Sequence, residues 1–293
     1  MKTKLILLAV FWISAWPLMG QSSETTVPTS SGRVFSSSVA IGPVIFRDFA
    51  TSPLFYKSSA LSAQMAWGRS KEKYDRKWSL RSSIASTKAA LPELEYSGPK
   101  STALFSSSDI AYQQLRPWPR FNKGKWSYFL GGVAISTFNF RINKALGNSA
   151  VGLEAFFNAM ASGKVNYDLS HEKTGTRKFL WIKREQKPTK QSLSLQFNVG
   201  LVNANYRQAY DYKSFPEVDG SNLNPFKLMV NSSAWAVNGT RFSSELEFRR
   251  QRPTGNAISW SYVWDAVSAP GREHLFQMAA HRIQFTLHFN RTK

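Results

Sequence analysis

Residues 281–289, HRIQFTLHF, alternate between apolar and polar side chains from Ile283 onward. In an extended chain one face then carries only apolar residues, namely Ile283, Phe285, Leu287 and Phe289. A period of two is typical of a β-strand with one apolar and one polar face. This pattern constrains the fold strongly, because the apolar face has to be covered by a protein core or by lipid.

The same alternation recurs along most of the chain. Clear examples occupy residues 61–67, 78–84, 193–201 and 258–264, and less regular ones occupy 39–44, 104–112, 126–140, 151–157, 228–237 and 242–248. With their flanking residues most segments reach about 9 to 15 residues, the length that a tilted strand needs to cross a bilayer. Residues 178–183 could add a further strand, so the pattern predicts about 10 to 12 strands, with an even number favoured.

The N-terminus has the layout of a secretory signal peptide. Lys2 and Lys4 precede a mostly apolar run over residues 5–16, and Gly20 offers a small residue for cleavage. The run is too short for a spanning helix. We therefore predict a signal peptide over residues 1–20, a flexible polar lead-in over 21–33 and a single barrel domain over 34–293.

The absence of long apolar runs limits how the mature chain could enter a membrane. No run after the leader approaches about 20 residues, the length of a helical span. A closed barrel is then required, because open sheet edges would leave backbone groups without partners in lipid. The predicted fold class is all-β, a transmembrane antiparallel up-and-down β-barrel. The chain has no cysteine, so its stability has to come from pairing and packing.

The leader, the alternating segments and the closing HRIQFTLHF together resemble the small, porin-like outer-membrane β-barrel proteins of Gram-negative bacteria. The resemblance covers residues 34–289 and is one of pattern, so it implies fold and location more than activity. It implies that the protein resides in the outer membrane after signal-peptide cleavage. It also implies contact with membrane lipids and with the barrel-assembly machinery as partners.

Aromatic residues at the ends of the segments predict an interfacial girdle. Trp67 ends one segment and Trp78 begins the next, on either side of a short turn. Rings of this kind concentrate at the headgroup level of membrane barrels. The predicted girdle comprises Trp67, Trp78, Tyr112, Trp126, Trp260, Trp264 and Phe289. The alternative for any single ring is packing within a soluble core.

The polar faces predict which charged residues line the lumen. The predicted lumen cations are Lys77, Arg81, Arg141, Arg249 and Arg282, and the predicted lumen anions are Asp109, Glu154, Glu245, Glu247 and Asp265. These charges nearly cancel, so we expect a lumen filled by ion pairs and hydrogen bonds. An open anion-selective pore would instead carry a one-sided ring of Lys and Arg.

The excess positive charge then has to lie in turns and loops, because the net charge of the chain is +20. Basic residues cluster in three places: Lys71, Lys73 and Arg76; Arg116, Arg120, Lys123 and Lys125; and Lys173, Arg177, Lys178, Lys183, Arg184, Lys187 and Lys190. These clusters favour contact with phosphates of lipopolysaccharide or of lipid headgroups. The alternative is a solvated surface without a partner. Export argues against nucleic acid as the ligand.

Motifs for catalysis or cofactor binding are sparse. A lipid hydrolase or acyltransferase would need a nucleophile, a histidine and an orienting group, and His281 and His288 lie in no such signature. His171 and His274 lack metal-ligand spacing, so neither a metal nor another cofactor is expected. We predict a structural or narrow porin-like role without enzymatic activity. A lipid-modifying enzyme and a soluble β-protein that binds acidic glycans remain as alternatives.

Overall fold

A computed structural model of the chain describes residues 32–50, 52–71, 74–90, 101–143, 151–171, 175–179, 182–186, 189–208, 233–252, 255–271 and 274–291. Its strands are β1 (Gly32–Asp48), β2 (Ser52–Lys71), β3 (Tyr74–Ala90), β4 (Thr102–Pro117), β5 (Trp126–Ile142), β6 (Val151–Asp168), β7 (Gly175–Phe179), β8 (Ile182–Gln186), β9 (Gln191–Gln208), β10 (Ser233–Val237), β11 (Thr240–Gln251), β12 (Ala257–Ala269) and β13 (Phe276–Arg291). A short 3-10 helix, Pro119–Phe121, follows β4.

Ten of these strands form a closed antiparallel barrel. The wall runs from β1 to β6, then through β9, β11, β12 and β13, and pairing between β13 and β1 closes it. The predicted fold class is confirmed, and so is the even strand number. Among the described residues, no helix is long and apolar enough to span a membrane.

Two features of the wall depart from a simple series of hairpins. Strands β7 and β8 form a separate two-stranded sheet, so the described residues of the possible extra strand at 178–183 belong to two different strands, neither of which is part of the barrel wall. Strand β10 pairs with the end of β9, and β11 pairs with its beginning, so β10 and β11 act as one strand interrupted at Asn238 and Gly239. Gly239 has a φ of 94°, and a Cβ there would lie 2.3 Å from the Ser268 carbonyl oxygen. The interruption therefore requires glycine.

An even number of strands places both ends of the barrel chain on the same side. We call this side the terminal end; it carries Gly32, Arg291 and the connections that follow β2, β4, β6 and β11. The opposite side, the distal end, carries the connections that follow β1, β3, β5, β9 and β12. The predicted signal peptide lies outside the described residues, as does the lead-in except for Gly32 and Arg33, which belong to β1.

The outer surface of the wall is an apolar belt. Four residues of this belt, Ile41, Leu61, Leu201 and Ile283, are 58%, 38%, 70% and 61% exposed, respectively. The residues that alternate with them along the strands, such as the buried Gln284, point into the barrel. A continuous apolar surface of this kind is not stable in water. Lipid covers it, and the barrel is a transmembrane one.

Candidate functional site: the barrel interior

Aromatic side chains fill the distal half of the lumen. Phe46 stacks between Tyr56 and Phe105, with ring centroids 5.2 and 4.9 Å from its own. Phe156 stacks on Phe276 at 5.2 Å. We call these five residues the apolar layer, and none is more than 2% exposed. Side chains that line an open aqueous channel are accessible to water, so the apolar layer fills the lumen at this level.

A buried ion cluster accompanies the apolar layer. Asp48 accepts hydrogen bonds from Nη2 of Arg141 at 2.9 Å and from Nη2 of Arg207 at 2.6 Å. Arg141 also lies 3.5 Å from Oε1 of Glu154. Nη1 of Arg207 donates to the carbonyl oxygen of Ala269 at 2.9 Å. Because these residues come from β1, β5, β6, β9 and β12, the cluster links strands across the lumen.

A second ion cluster lies nearer the middle of the barrel. Arg241 forms a two-point contact with Asp265, through Nε at 3.1 Å and Nη2 at 2.8 Å. Its Nη1 donates to the Thr137 hydroxyl at 2.8 Å, and that hydroxyl donates to Asp109 at 2.5 Å. Asp109 also accepts from Nε of Arg81 at 2.7 Å. Such paired, hydrogen-bonded charges are the form in which ions are tolerated in a dry interior.

The terminal half of the lumen holds a polar cavity of about 250 Å³. Side chains of both signs line it, including Lys77, Lys164, Glu245, Glu247 and Arg249. A smaller cavity of about 110 Å³ continues toward the middle ion cluster. Cavities with polar walls of this size hold water. The lumen is therefore hydrated at the terminal end and filled at the distal end.

The structure places every predicted lumen charge on the inner surface. Lys77, Glu245, Glu247 and Arg249 line the terminal cavity. The others belong to the two ion clusters: Arg81, Asp109, Asp265 and Arg282 in the middle, and Arg141 and Glu154 at the distal side. The alternation therefore brings together residues that are far apart in the chain.

The alternation of polar and apolar residues did not predict three of the buried lumen charges: Asp48, Arg207 and Arg241. Arg241 shares the parity of Glu245 and Glu247, which was the signal that could have identified it. Asp48 and Arg207 lie at the distal ends of β1 and β9, beyond the segments in which alternation is clear. No comparable signal marked them.

The aromatic residues proposed for a girdle lie on the outer surface. Phe289, Trp67, Trp78 and Tyr112 occupy matching register positions on neighbouring strands, near the terminal end. Trp126 and Trp260 also lie close to that end of their strands. Trp264 is different, because it lies well inside β12 and stacks on His281 at 6.2 Å.

The histidines do not form a catalytic arrangement. Nε2 of His288 lies 2.9 Å from the Ser259 hydroxyl and 3.5 Å from Oε1 of Glu247. Both partners therefore approach the same ring nitrogen, whereas a triad places the acid on the other one. Ser259 is 1% exposed. His281 faces outward, where its Nδ1 lies 2.5 Å from the Tyr262 hydroxyl.

The remaining histidines lie at opposite ends of the barrel. His171 follows β6 at the terminal end, and His274 precedes β13 at the distal end. Within the described part of the chain, no group of His, Asp and Glu residues is arranged to hold a metal ion.

All three basic clusters predicted from the sequence map to the terminal end. They lie in or beside the connections that follow β2, β4 and β6. Lys73, Lys173 and Lys187 fall outside the described residues. Other exposed basic residues of the described terminal end are Arg33, Arg69, Arg250 and Arg252, whereas Asp168 is its exposed acid.

Comparison with known proteins supports the architecture. The outer-membrane protease OmpT from Escherichia coli has a similar fold, with a TM-score of 0.51, 7% identity, and coverage of 92% of this chain and 100% of that one. The fold is that of an outer-membrane β-barrel. At this identity the likeness concerns the fold alone.

Other solved structures are less similar. An outer-membrane channel from Pseudomonas putida F1 has a TM-score of 0.33 at 6% identity, over 90% of this chain and 100% of that one. The toluene transporter TodX from P. putida has a TM-score of 0.32 at 7% identity, over 90% and 91%. No protein-family model matches the chain, and no curated protein matches it.

Proposed function

We propose that this protein is a sealed structural barrel of the outer membrane, which presents a basic surface to the phosphates of membrane lipids. The apolar layer carries the proposal. A porin needs a continuous aqueous path, and the five aromatic residues of the layer are almost wholly inaccessible to water. Any permeation through the barrel is then limited to a narrow leak.

The ion clusters add a second barrier to permeation. Arg241 and Asp265 are 2% and 4% exposed, and they satisfy one another in the middle of the lumen. An ion crossing the barrel would have to break these pairs and then pass the apolar layer. Both steps require desolvation, which is costly in a dry interior.

The basic surface is the side of the barrel that we propose to be periplasmic. An exported chain reaches the outer membrane from the periplasm, and chain ends that need not cross the membrane stay on that side. With both ends at the terminal end, the basic clusters face the periplasmic leaflet. The phosphates nearest to them are then those of phospholipids, and lipopolysaccharide lies at the distal end.

Planar-bilayer recording of the purified barrel tests the sealed lumen. We expect no steady unit current under conditions in which a general porin, reconstituted in parallel, conducts. A steady, anion-selective current of large unit size would overturn the proposal. Liposome swelling with sugars of increasing size provides a second measurement, and swelling equal to that of the porin control would also contradict a sealed lumen.

A further inference from the structure

Three arginines lie directly opposite one another on the outer surface of β1, β2 and β3. Arg33 pairs in register with Arg69, and Arg69 pairs with Arg76. All three side chains are exposed and share the terminal end of the wall. Among the described residues, none of them forms an ion pair, and Arg76 contacts the ring of Tyr74 at 4.3 Å. We call these residues the arginine row.

Like charges in directly opposed positions destabilise a sheet. Side chains at such positions lie about 5 Å apart at Cβ, so their repulsion is felt unless an anion lies between them. The neighbouring acid Asp75 lines the terminal cavity, whose edge Arg69 also reaches, but among the described residues it forms no ion pair with any of the three arginines. An anion from outside the described chain would relieve this repulsion.

An aromatic row lies immediately on the membrane side of the arginines. Phe35, Trp67 and Trp78 occupy the positions two residues further into the same strands, about 7 Å away along each strand. Phe35 and Trp67 are in contact, with ring centroids 5.7 Å apart. Trp67 and Trp78 are 51% and 55% exposed. Rings at this depth mark the boundary between headgroups and acyl chains.

The two rows together have the chemistry of a lipid headgroup site. We propose that the arginine row binds the phosphate of an anionic phospholipid, whose glycerol and upper acyl chain lie on the aromatic row. Guanidinium groups bind phosphate oxygens through two parallel hydrogen bonds, which suits three adjacent arginines. The choice of a phospholipid over lipid A rests on the orientation given under the proposed function.

Native mass spectrometry of the detergent-purified barrel tests this site. Dioleoylphosphatidylglycerol, dioleoylphosphatidylcholine and lipid A are titrated in parallel. We expect phosphatidylglycerol to bind the wild-type barrel most tightly. Arg69→Gln combined with Arg76→Gln should weaken that binding about 25-fold, which is roughly fivefold for each arginine. The matched control is Arg116→Gln with Arg250→Gln, which removes the same charge from the same end and should weaken the binding less, through the general attraction of the basic surface alone.

Arg116 and Arg250 are suitable for the control because their register partners include Leu130 and Ile258 and are uncharged. Equal weakening by both double variants would show general attraction to a basic surface and would overturn the site. Unchanged binding in the Arg69/Arg76 variant would also overturn it. Tighter binding of lipid A, with the same dependence on Arg69 and Arg76, would overturn the phospholipid assignment.

The stability of the barrel against urea provides a second measurement, because the effect of one substitution should have opposite signs in two lipids. In neutral phosphatidylcholine vesicles, Arg69→Gln should raise the urea midpoint of unfolding, because it relieves repulsion within the row. In phosphatidylglycerol vesicles it should lower the midpoint, because a bound phosphate is lost. A shift in the same direction in both lipids would contradict the proposal. Failure of this inference would leave the conductance result intact, so the two proposals fail separately.

Discussion

At the scale of single residues, the interior depends on charges that are buried together. Asp265 faces three arginines: Arg241 at 2.8 Å, Arg81 at 3.5 Å and Arg282 at 3.6 Å. Each of these cations would be unfavourable in the dry lumen without a carboxylate nearby. The main effect of these contacts is therefore to make the burial of the three arginines possible, and any net gain in stability is secondary.

Replacement of Asp265 by asparagine should destabilise the barrel strongly. The amide keeps the shape but removes the negative charge, which leaves Arg241 buried without its main partner. We expect a loss of about 3–5 kcal/mol in the free energy of unfolding, measured by urea titration in lipid vesicles. Asp168→Asn, at an exposed position of the terminal end, is the control and should change the stability little. Equal effects of the two variants would contradict a structural role for the ion cluster.

At the scale of elements, the pairing of β1 with β13 closes the barrel and leaves little space at Gly42. A Cβ on Gly42 would lie 1.9 Å from the carbonyl oxygen of His281, which belongs to the partner strand. Backbone atoms cannot give way as a side chain can. The pairing of β1 with β13 therefore depends on the absence of a side chain at Gly42 as well as on the alternation of polar and apolar residues.

Gly42→Ala should weaken the closing strand pair. The added methyl group has to push β13 away, which we expect to cost about 1–3 kcal/mol and to lower the temperature at which the folded band is lost in semi-native electrophoresis. The control is Gly163→Ala, where the nearest atom is a Leu130 methyl carbon at an ordinary 3.6 Å. An unchanged temperature of band loss in Gly42→Ala would contradict this prediction, because it would mean that β1 and β13 can move apart at this point without loss of stability.

Alternation predicted the strands well wherever lipid contacts one face and polar side chains line the other. Residues 193–201 and 281–289 are such cases, and both lie in wall strands. It could not predict the apolar layer, because Phe46, Phe105 and Phe156 are apolar residues that point inward, and a pattern of hydrophobicity does not distinguish lipid from a packed lumen. The interruption at Gly239 was also hidden, since it depends on close contact with β12.

At the scale of the whole molecule, charge is distributed unevenly between the two ends. The basic clusters of the sequence all converge on the terminal end, although they are separated by up to about a hundred residues of chain. This convergence follows from the up-and-down order, because every second connection lies on the same side. The orientation of the barrel therefore decides which leaflet meets the positive charge.

Cysteine labelling in intact cells should report the orientation. The chain has no cysteine of its own, so single substitutions give an unambiguous signal. Arg120→Cys, exposed at the terminal end, should be protected from a membrane-impermeant maleimide until the outer membrane is permeabilised. Pro270→Cys, exposed at the distal end, should be labelled at once. The reverse pattern would place the basic surface outside and would bring lipopolysaccharide phosphates into contact with it.

The apolar layer also has a consequence for how the barrel assembles. The outer belt gains its stability by entering lipid, whereas the contact between Phe156 on β6 and Phe276 on β13 forms inside the lumen and needs the last strand in place. Ring closure therefore expels water from the inside of the cylinder, as folding does in a soluble domain. This final step should carry a negative heat-capacity change and should slow on cooling, while insertion of the wall follows the fluidity of the bilayer.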